Sequence, residues 1–307
     1  MSKKKMCELA DRCNKKNQKK PEEEQKQLTN DTDTNTNNKK KRKHKEVAIY
    51  GNYRNYYGYR IDRDLEEDPR LKVMKKEWFE GKDCLDIGCN SGVITISIAR
   101  KFGCRSILGV DIDLARVEDA YRTLRKIVNS ITRKLNTARA IPSKKEANGS
   151  KNDTTELASE CQSEIINSDS VQGKSLFDII SFQEGDFVQS WRPPESTSYH
   201  AILCLSVSKW IHLNCGDDGL INLFSKVWRL LQPGGVFVLE PQPWTSYSKN
   251  RRVSETASVN YQNIQIGPEE FQDILLDKVG FRTVENLTHS LSGSKTGFER
   301  PILAFWK

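Results

Sequence analysis

The sequence predicts an α/β protein built on a single seven-stranded, mostly parallel, doubly wound sheet. Three observations carry that expectation. Residues 84–111, CLDIGCNSGVITISIARKFGCRSILGVD, read as strand, glycine turn, helix, strand and terminal acid. Beyond them, short apolar runs alternate with helical patterns, the order that a sheet covered by helices on both faces requires. Two last extended runs, 282–286 and 301–307, fit a terminal antiparallel pair.

The elements follow in order. Structure begins near Val47, and residues 62–79 are polar with a helical close at Leu71, Val73, Met74 and Trp78. Strands are expected at Asp83–Ile87 and Ser106–Val110, with helices at Val93–Phe102 and Leu114–Val128. Residues from about 130 to 174 lose all periodicity and are rich in Ser, Asn, Thr, Lys and Glu. A structureless loop of that length is unusual inside a compact domain, so its composition reads as a disordered insertion. Strands resume at Phe177–Phe182 and Tyr199–Leu205, and a helix spans Leu220–Leu231. Gln232-Pro233-Gly234-Gly235 stops that helix, because proline cannot extend it and glycine permits the turn. Strand Val236–Leu239 and helix Pro268–Val279, ending at Gly280, complete the pattern.

Placement of charge narrows the partners. The chain has 307 residues, 49 Lys/Arg and 41 Asp/Glu, a net charge of +8. Residues 1–45 hold 15 of the basic and 7 of the acidic residues, which leaves 34 of each in the rest. The body is therefore neutral, and affinity for nucleic acid must come from local patches or from the tail. Residues 1–45 have too little apolar surface to fold and read as a disordered basic tail; residues 46–307 form the domain. The run Lys39-Lys40-Lys41-Arg42-Lys43-His44-Lys45 reads as a nuclear localisation signal or an RNA-binding arm, against the plain alternative of a solubilising tail. No stretch approaches the roughly 20 apolar residues that span a bilayer, and no signal peptide opens the chain, so an intracellular protein without a membrane partner is expected. The eight cysteines form no Cys-x-x-Cys pair, and no metal site is expected.

The glycine turn carries the chemistry. Gly88 lets a ligand touch the backbone, since no Cβ stands in the way. Asp111 lies about 20 residues on, where a ribose-binding acid belongs in a nucleotide-binding βαβ unit. The spacing is neither the dinucleotide Gly-x-Gly-x-x-Gly nor a phosphate loop. It resembles the S-adenosylmethionine (SAM) site of Rossmann-like SAM-dependent methyltransferases. Strand carboxyl ends face the ligand crevice in such a sheet, so four segments meet there. These are Gly88-Cys89-Asn90, Asp111-Ile112, Asp186-Phe187 and Leu205 to His212. Asp186 suits an adenine amine and Phe187 its ring, against the alternative of a turn with a core Phe.

The last segment puts a hydroxyl, the Lys209 cation, an indole and the His212 imidazole where a methyl acceptor belongs. Asn/Asp-Pro-Pro-Tyr/Phe of amino-directed nucleobase enzymes is absent, as are a Pro-Cys nucleophile and a pair of acids for a guanidinium. Cations suit an anionic acceptor, and a phosphate oxygen needs no general base. Upstream, residues 50–60 pack five tyrosines and two arginines into eleven residues. Arginine grips phosphate as a fork and tyrosine rings stack on bases, so this segment reads as a lid over cofactor and substrate. The basic stretch 244–261, with Lys249, Arg251 and Arg252, is a candidate grip on RNA that orders on binding, or else a mobile loop.

Five motifs make the resemblance specific: Gly-Asn-Tyr-x-x-Tyr-Tyr-Gly-Tyr-Arg (51–60), Asp-Ile-Gly-Cys-Asn-Ser-Gly (86–92), Lys-Trp-Ile-His-Leu-Asn (209–214), Leu-Glu-Pro-Gln-Pro-Trp (239–244) and Gly-Phe-Glu-Arg-Pro (297–301). Together they resemble the RNA 5′-phosphate O-methyltransferase family of 7SK methylphosphate capping enzymes, over about residues 48–307. The resemblance implies SAM as cofactor and methylation of the γ-phosphate at the 5′ end of a small structured nuclear RNA such as 7SK, capping and stabilising it. It implies that Tyr57, Arg70, Gly88, Cys89, Asn90, Asp111, Ile112, Asp186, Phe187 and Leu205 line the cofactor site. Tyr56, Arg60, Lys209 and His212 would face the phosphate. It also implies nuclear residence and other proteins of the same ribonucleoprotein as partners. A 5′-monophosphate methyltransferase of small RNAs, and an RNA-binding subunit whose catalysis is dispensable, are the alternatives.

Overall fold

The computed structural model describes residues 47–60, 67–139, 175–194, 197–288 and 300–307, with the side chains of 59 and 60 and of a few residues late in the long helix left out. The basic tail and most of the 130–174 stretch lie outside the described residues. Ala48–Lys307 forms one compact unit.

Seven strands form one sheet in the order β3-β2-β1-β4-β5-β7-β6. They are β1 Asp83–Ile87, β2 Ser106–Asp111, β3 Ile180–Glu184, β4 Tyr199–Leu205, β5 Leu231–Glu240, β6 Thr283–Asn286 and β7 Leu303–Trp306. The first five are mutually parallel, and β7 runs antiparallel to both β5 and β6. The expected architecture is therefore the observed one. The central strands are apolar on both faces because helices cover both. One face packs Ile94, Ile98, Ala120 and Leu124, and the other Leu220, Leu223, Phe224 and Phe271. The strand order reverses between β1 and β4, which opens a crevice at their carboxyl ends, the place where such sheets bind ligands.

Helix α1, Val93–Phe102, runs between glycines in left-handed conformation, Gly92 at φ 72° and Gly103 at φ 70°. Both expected bounds of this helix and those of β1 and β4 are the observed ones. Other boundaries move for local reasons. Helix α2 runs Leu114–Arg139, past the expected end at Val128 and into the stretch read as an insertion. Its last turns are exposed on nearly every described side, so no apolar stripe marks them, while their residues remain good helix formers. The third strand starts later than expected: Ser175 and Asp178 form a capping box that turns Leu176–Ile179 into one helical turn.

Helix α3 begins at Ser208 rather than near Leu220 and runs to Leu230, with a break at Gly216 (φ 66°, ψ −168°). The segment expected to order on binding RNA is already folded, as helices α4 (Trp244–Asn250) and α5 (Glu255–Asn263). Ser254 caps the second of these through the Ala257 N–H, and Tyr247 and Ala257 are buried against Leu213 of α3.

Candidate active site

Two adjoining cavities occupy the crevice. The larger, about 370 Å³, lies over the ends of β1 to β4. Tyr56, Tyr57, Arg70, Gly88 and Asn90 line it, with Asp111, Ile112, Asp186, Phe187 and Leu205 opposite. Gly88 sits at φ +74°, and a Cβ there would meet the Val207 side chain at 2.3 Å. Asn90 is also left-handed (φ 50°), and its N–H donates to Asp111 at 2.8 Å. The Asp113 N–H donates to the other oxygen of Asp111 at 3.0 Å. The acid at the end of β2 thus holds the turn after β1 in shape while it lines the cavity. Burial raises its pKa, and these two N–H groups work the other way. Asp86 beneath them is pushed up to about 6 by burial, against the Thr95 hydroxyl that donates to it at 2.6 Å.

Arg70 reaches the cavity from a buried single turn of helix, Arg70–Val73. It bonds Asp68 through Nε (3.0 Å) and Nη2 (2.7 Å), and Glu240 through Nη1 (3.1 Å). Burial opposes its charge, but Glu240 and Asp68 outweigh burial and hold its pKa above the ordinary value. Asp186 caps the turn after β3, accepting from the N–H groups of Val188 and Gln189 at 2.9 Å each. Phe187 stacks on Trp191 (5.2 Å between centroids) and belongs to the core as well as to the cavity wall.

The smaller cavity, about 240 Å³, is lined by Tyr53, Tyr56, Ser206, Lys209, Trp210, Gln242, Ser246, Asn250 and Arg300, with Gly51. Gly51, Tyr56, Ser206 and Trp210 line both cavities. Lys209 Nζ donates to Ser246 Oγ (3.0 Å) and Asn250 Oδ1 (2.7 Å), and it stands 4.0 Å from the centroid of the Trp210 ring. Burial, with the charge of Arg300 adding to it, pulls Lys209 down to about 7.

The tyrosine segment is docked across this region. Asn214 donates to the Ile49 carbonyl at 3.0 Å, Asn90 to the Tyr53 carbonyl at 3.2 Å, and Asn52 to Asp113 at 2.5 Å. Gly51, at φ +70°, lets the chain pass the Trp210 indole, where a Cβ would come within 2.0 Å of Nε1.

Two expected site residues are not brought to either cavity. The Cys89 side chain turns into the core, 1 % exposed. His212 is fully buried, with Nε2 2.7 Å from Asp217 and Nδ1 3.3 Å from the Tyr247 hydroxyl. One turn of helix separates Lys209 from His212, and α3 aims the imidazole at the interior. Arg60 lies on the backbone of a short turn, Tyr56–Arg60, and its side chain is outside the description. Ser206 lies in the segment expected to meet the acceptor, whereas Glu240, Gln242 and Arg300, which stand in the motifs 239–244 and 297–301, were given no role by the sequence pattern.

Sequence comparison then assigns the chain. Residues 199–307 match the family model of Bicoid-interacting protein 3 (Bin3), and residues 70–168 match that of ribosomal protein L11 methyltransferase. A probable RNA methyltransferase of Arabidopsis thaliana is 60 % identical over 86 % of this chain and 82 % of its own length. The chain belongs to the Bin3 family of SAM-dependent RNA methyltransferases. Within that family it is 35 % identical to a U6 snRNA methylphosphate capping enzyme of Drosophila melanogaster, over 84 % of this chain and 74 % of that one. It is 36 % identical to the human 7SK snRNA methylphosphate capping enzyme over 84 % of this chain, spanning 39 % of the longer human protein.

The residues of the larger cavity fit the Bin3 cofactor. Gly88 leaves the space a Cβ would fill, Asp111 presents a carboxylate suited to ribose hydroxyls, and Arg70 presents a guanidinium suited to a carboxylate. Among the described residues no cluster could hold a metal ion, and no helix is long and apolar enough to cross a membrane.

Proposed function

We propose that this Bin3-family protein methylates a terminal phosphate oxygen at the 5′ end of a small nuclear RNA. The observation that carries the reading is the smaller cavity: two cations, Lys209 and Arg300, stand in it, and it shares a wall with the cofactor cavity. Burial, and then the charge of Arg300, pull the Lys209 ammonium down to about 7, and a phosphate held between the two would favour its charged form. SAM supplies an electrophilic methyl group. An ionised phosphate oxygen is already a nucleophile, so no proton has to leave and no general base is required. The work of the chain is alignment and charge placement. Ser246 and Asn250 aim the Lys209 ammonium, Ser206 bonds Arg300, and the docked tyrosine segment covers both cavities. His212 holds α3 against Tyr247 of α4 and so supports Ser246 and Asn250 rather than meeting the phosphate.

Lys249, Arg251 and Arg252 on and beside α4 offer a basic edge for the RNA body, and the basic run 39–45 agrees with nuclear residence beside other proteins of an snRNA ribonucleoprotein. The test is transfer from labelled SAM to RNAs that differ only at the 5′ end. Triphosphate or monophosphate ends should accept the methyl group and a 5′ hydroxyl should not. Equal transfer to the hydroxyl-ended RNA would move the acceptor to a ribose or a base.

A further inference from the structure

The motif Leu-Glu-Pro-Gln-Pro-Trp, residues 239–244, touches neither ligand in the reading above except through Gln242 on the cavity wall. Its two polar residues are nonetheless among the most buried of the chain, Glu240 at 0 % and Gln242 at 1 % exposure. Burial of such groups is costly unless their bonds are met, so where those bonds go is informative. Glu240 closes β5 beside Leu205, and Oε2 accepts from both Arg70 Nη1 (3.1 Å) and the Ser206 hydroxyl. Ser206 Oγ in turn accepts from Arg300 Nη1 at 2.7 Å. A chain of bonded polar groups therefore runs from buried Asp68 through Arg70, Glu240 and Ser206 to half-buried Arg300, from the cofactor cavity to the smaller one. Gln242, two residues on, accepts from the Lys209 N–H at 3.2 Å and donates to the Ser206 carbonyl at 2.5 Å. Each polar residue of the motif holds one of the two cations.

We infer that Glu240 and Gln242 are positioning residues: the end of β5 is a brace that sets Arg300 through the Ser206 hydroxyl and Lys209 through its backbone, and registers both against the cofactor-side Arg70. The inference rests on the phosphate reading, because it supposes that the two cations meet the acceptor. Two prolines suit this role. Pro241 and Pro243 have a fixed φ and no N–H, so the chain leaves the sheet stiffly and presents residues 240 and 242 without further ladder bonds. Ser206 supports it too. It holds a left-handed backbone, φ 64°, which a non-glycine residue adopts at a cost, and there its N–H bonds the Glu240 carbonyl at 3.0 Å.

The strained backbone provides a clean test. Ser206→Gly removes the hydroxyl while relaxing φ, so the relief of backbone strain offsets part of the cost of the two bonds lost and the fold should persist. With the full-length chain, kcat/KM for 5′-triphosphate RNA should fall by roughly tenfold or more, the scale of one lost hydrogen bond to a charge, and by more than SAM affinity measured by calorimetry, although Ser206 lines both cavities. Glu240→Gln should weaken both SAM affinity and transfer, because an amide cannot accept from Arg70 and Ser206 with the same oxygen charge. In the double variant Ser206→Gly/Arg300→Lys the two losses should fall short of adding, since both cut the same link. Wild-type kcat/KM in Ser206→Gly, with the wild-type protein active on the phosphorylated end, would overturn the brace and leave the phosphate reading standing. A wild-type protein inert toward every phosphorylated end would overturn both.

Discussion

The two cavities lie side by side but are built differently. The cofactor cavity draws its turn from one run of sequence: Gly88, Asn90 and Asp111 lie within 24 residues, and their conformations depend on each other through the Asn90 N–H. The smaller cavity draws on four separate segments, residues 51–56, 206–210, 242–250 and 300, and its bonds join positions as far apart as Ser206 and Arg300. The turn at the centre of the larger cavity is carried by local backbone geometry, although Arg70, Asp186 and Leu205 reach the same cavity from other segments. A site for the end of an RNA needs charges brought together from several elements, and only packing holds them in place.

That contrast can be broken most severely where the two halves are joined. Arg70→Met would leave Asp68 and Glu240 buried without their cation, and should cost about 3–5 kcal/mol of stability, read by denaturant unfolding. A loss below about 1 kcal/mol would show the two carboxylates to be independent of Arg70. A local change should act on one half only. Asp111→Ala should weaken SAM binding by about 1–3 kcal/mol in calorimetry. Because Asp111 also holds the N–H groups of Asn90 and Asp113, this variant should lose stability as well, whereas loss of Lys209 should spare SAM affinity.

Lys209 sharpens the comparison through pH. Its pKa falls from 10.5 to about 7 on folding, so the folded state binds fewer protons than the unfolded one between those values, and this group's contribution makes stability rise with pH across that window. Binding of an anion beside Lys209 and Arg300 reverses the shift. At pH 8, where a terminal phosphate is already ionised, tripolyphosphate binding should therefore take up protons, measured by calorimetry in buffers of different ionisation heat. Lys209→Met should abolish the uptake, and an uptake that persists would assign it to another group.

The docked tyrosine segment gives a smaller effect. Gly51→Ala, strained at φ +70° and blocked by Trp210, should raise KM for RNA several-fold, with a smaller effect on the melting temperature. The least effect is expected from removing residues 1–45. The melting temperature should not move, while the slope of RNA affinity against salt should become shallower if the net charge of +8 in that tail acts as an arm.

Read without coordinates, the chain disclosed what depends on local rules. Alternating apolar runs and glycine punctuation set the order of strands and helices, and Gly92 marked the start of α1 because a left-handed turn favours glycine. The cofactor turn was legible because its residues are close in sequence and their spacing is dictated by one strand-turn-helix unit. The exposed end of α2 was not legible, since a helix that buries nothing leaves no periodic signal. Nor was the orientation of His212. Its neighbour Lys209 faces the cavity, and only the packing of α3 on Tyr247 decides that the imidazole turns inward. Arg300 and Glu240 became site residues through distance in space, 94 residues between Ser206 and Arg300 and 170 between Arg70 and Glu240. Charges meet across such spans when the sheet brings strand ends together, and that is a property of the tertiary fold, with no local pattern in the sequence to announce it.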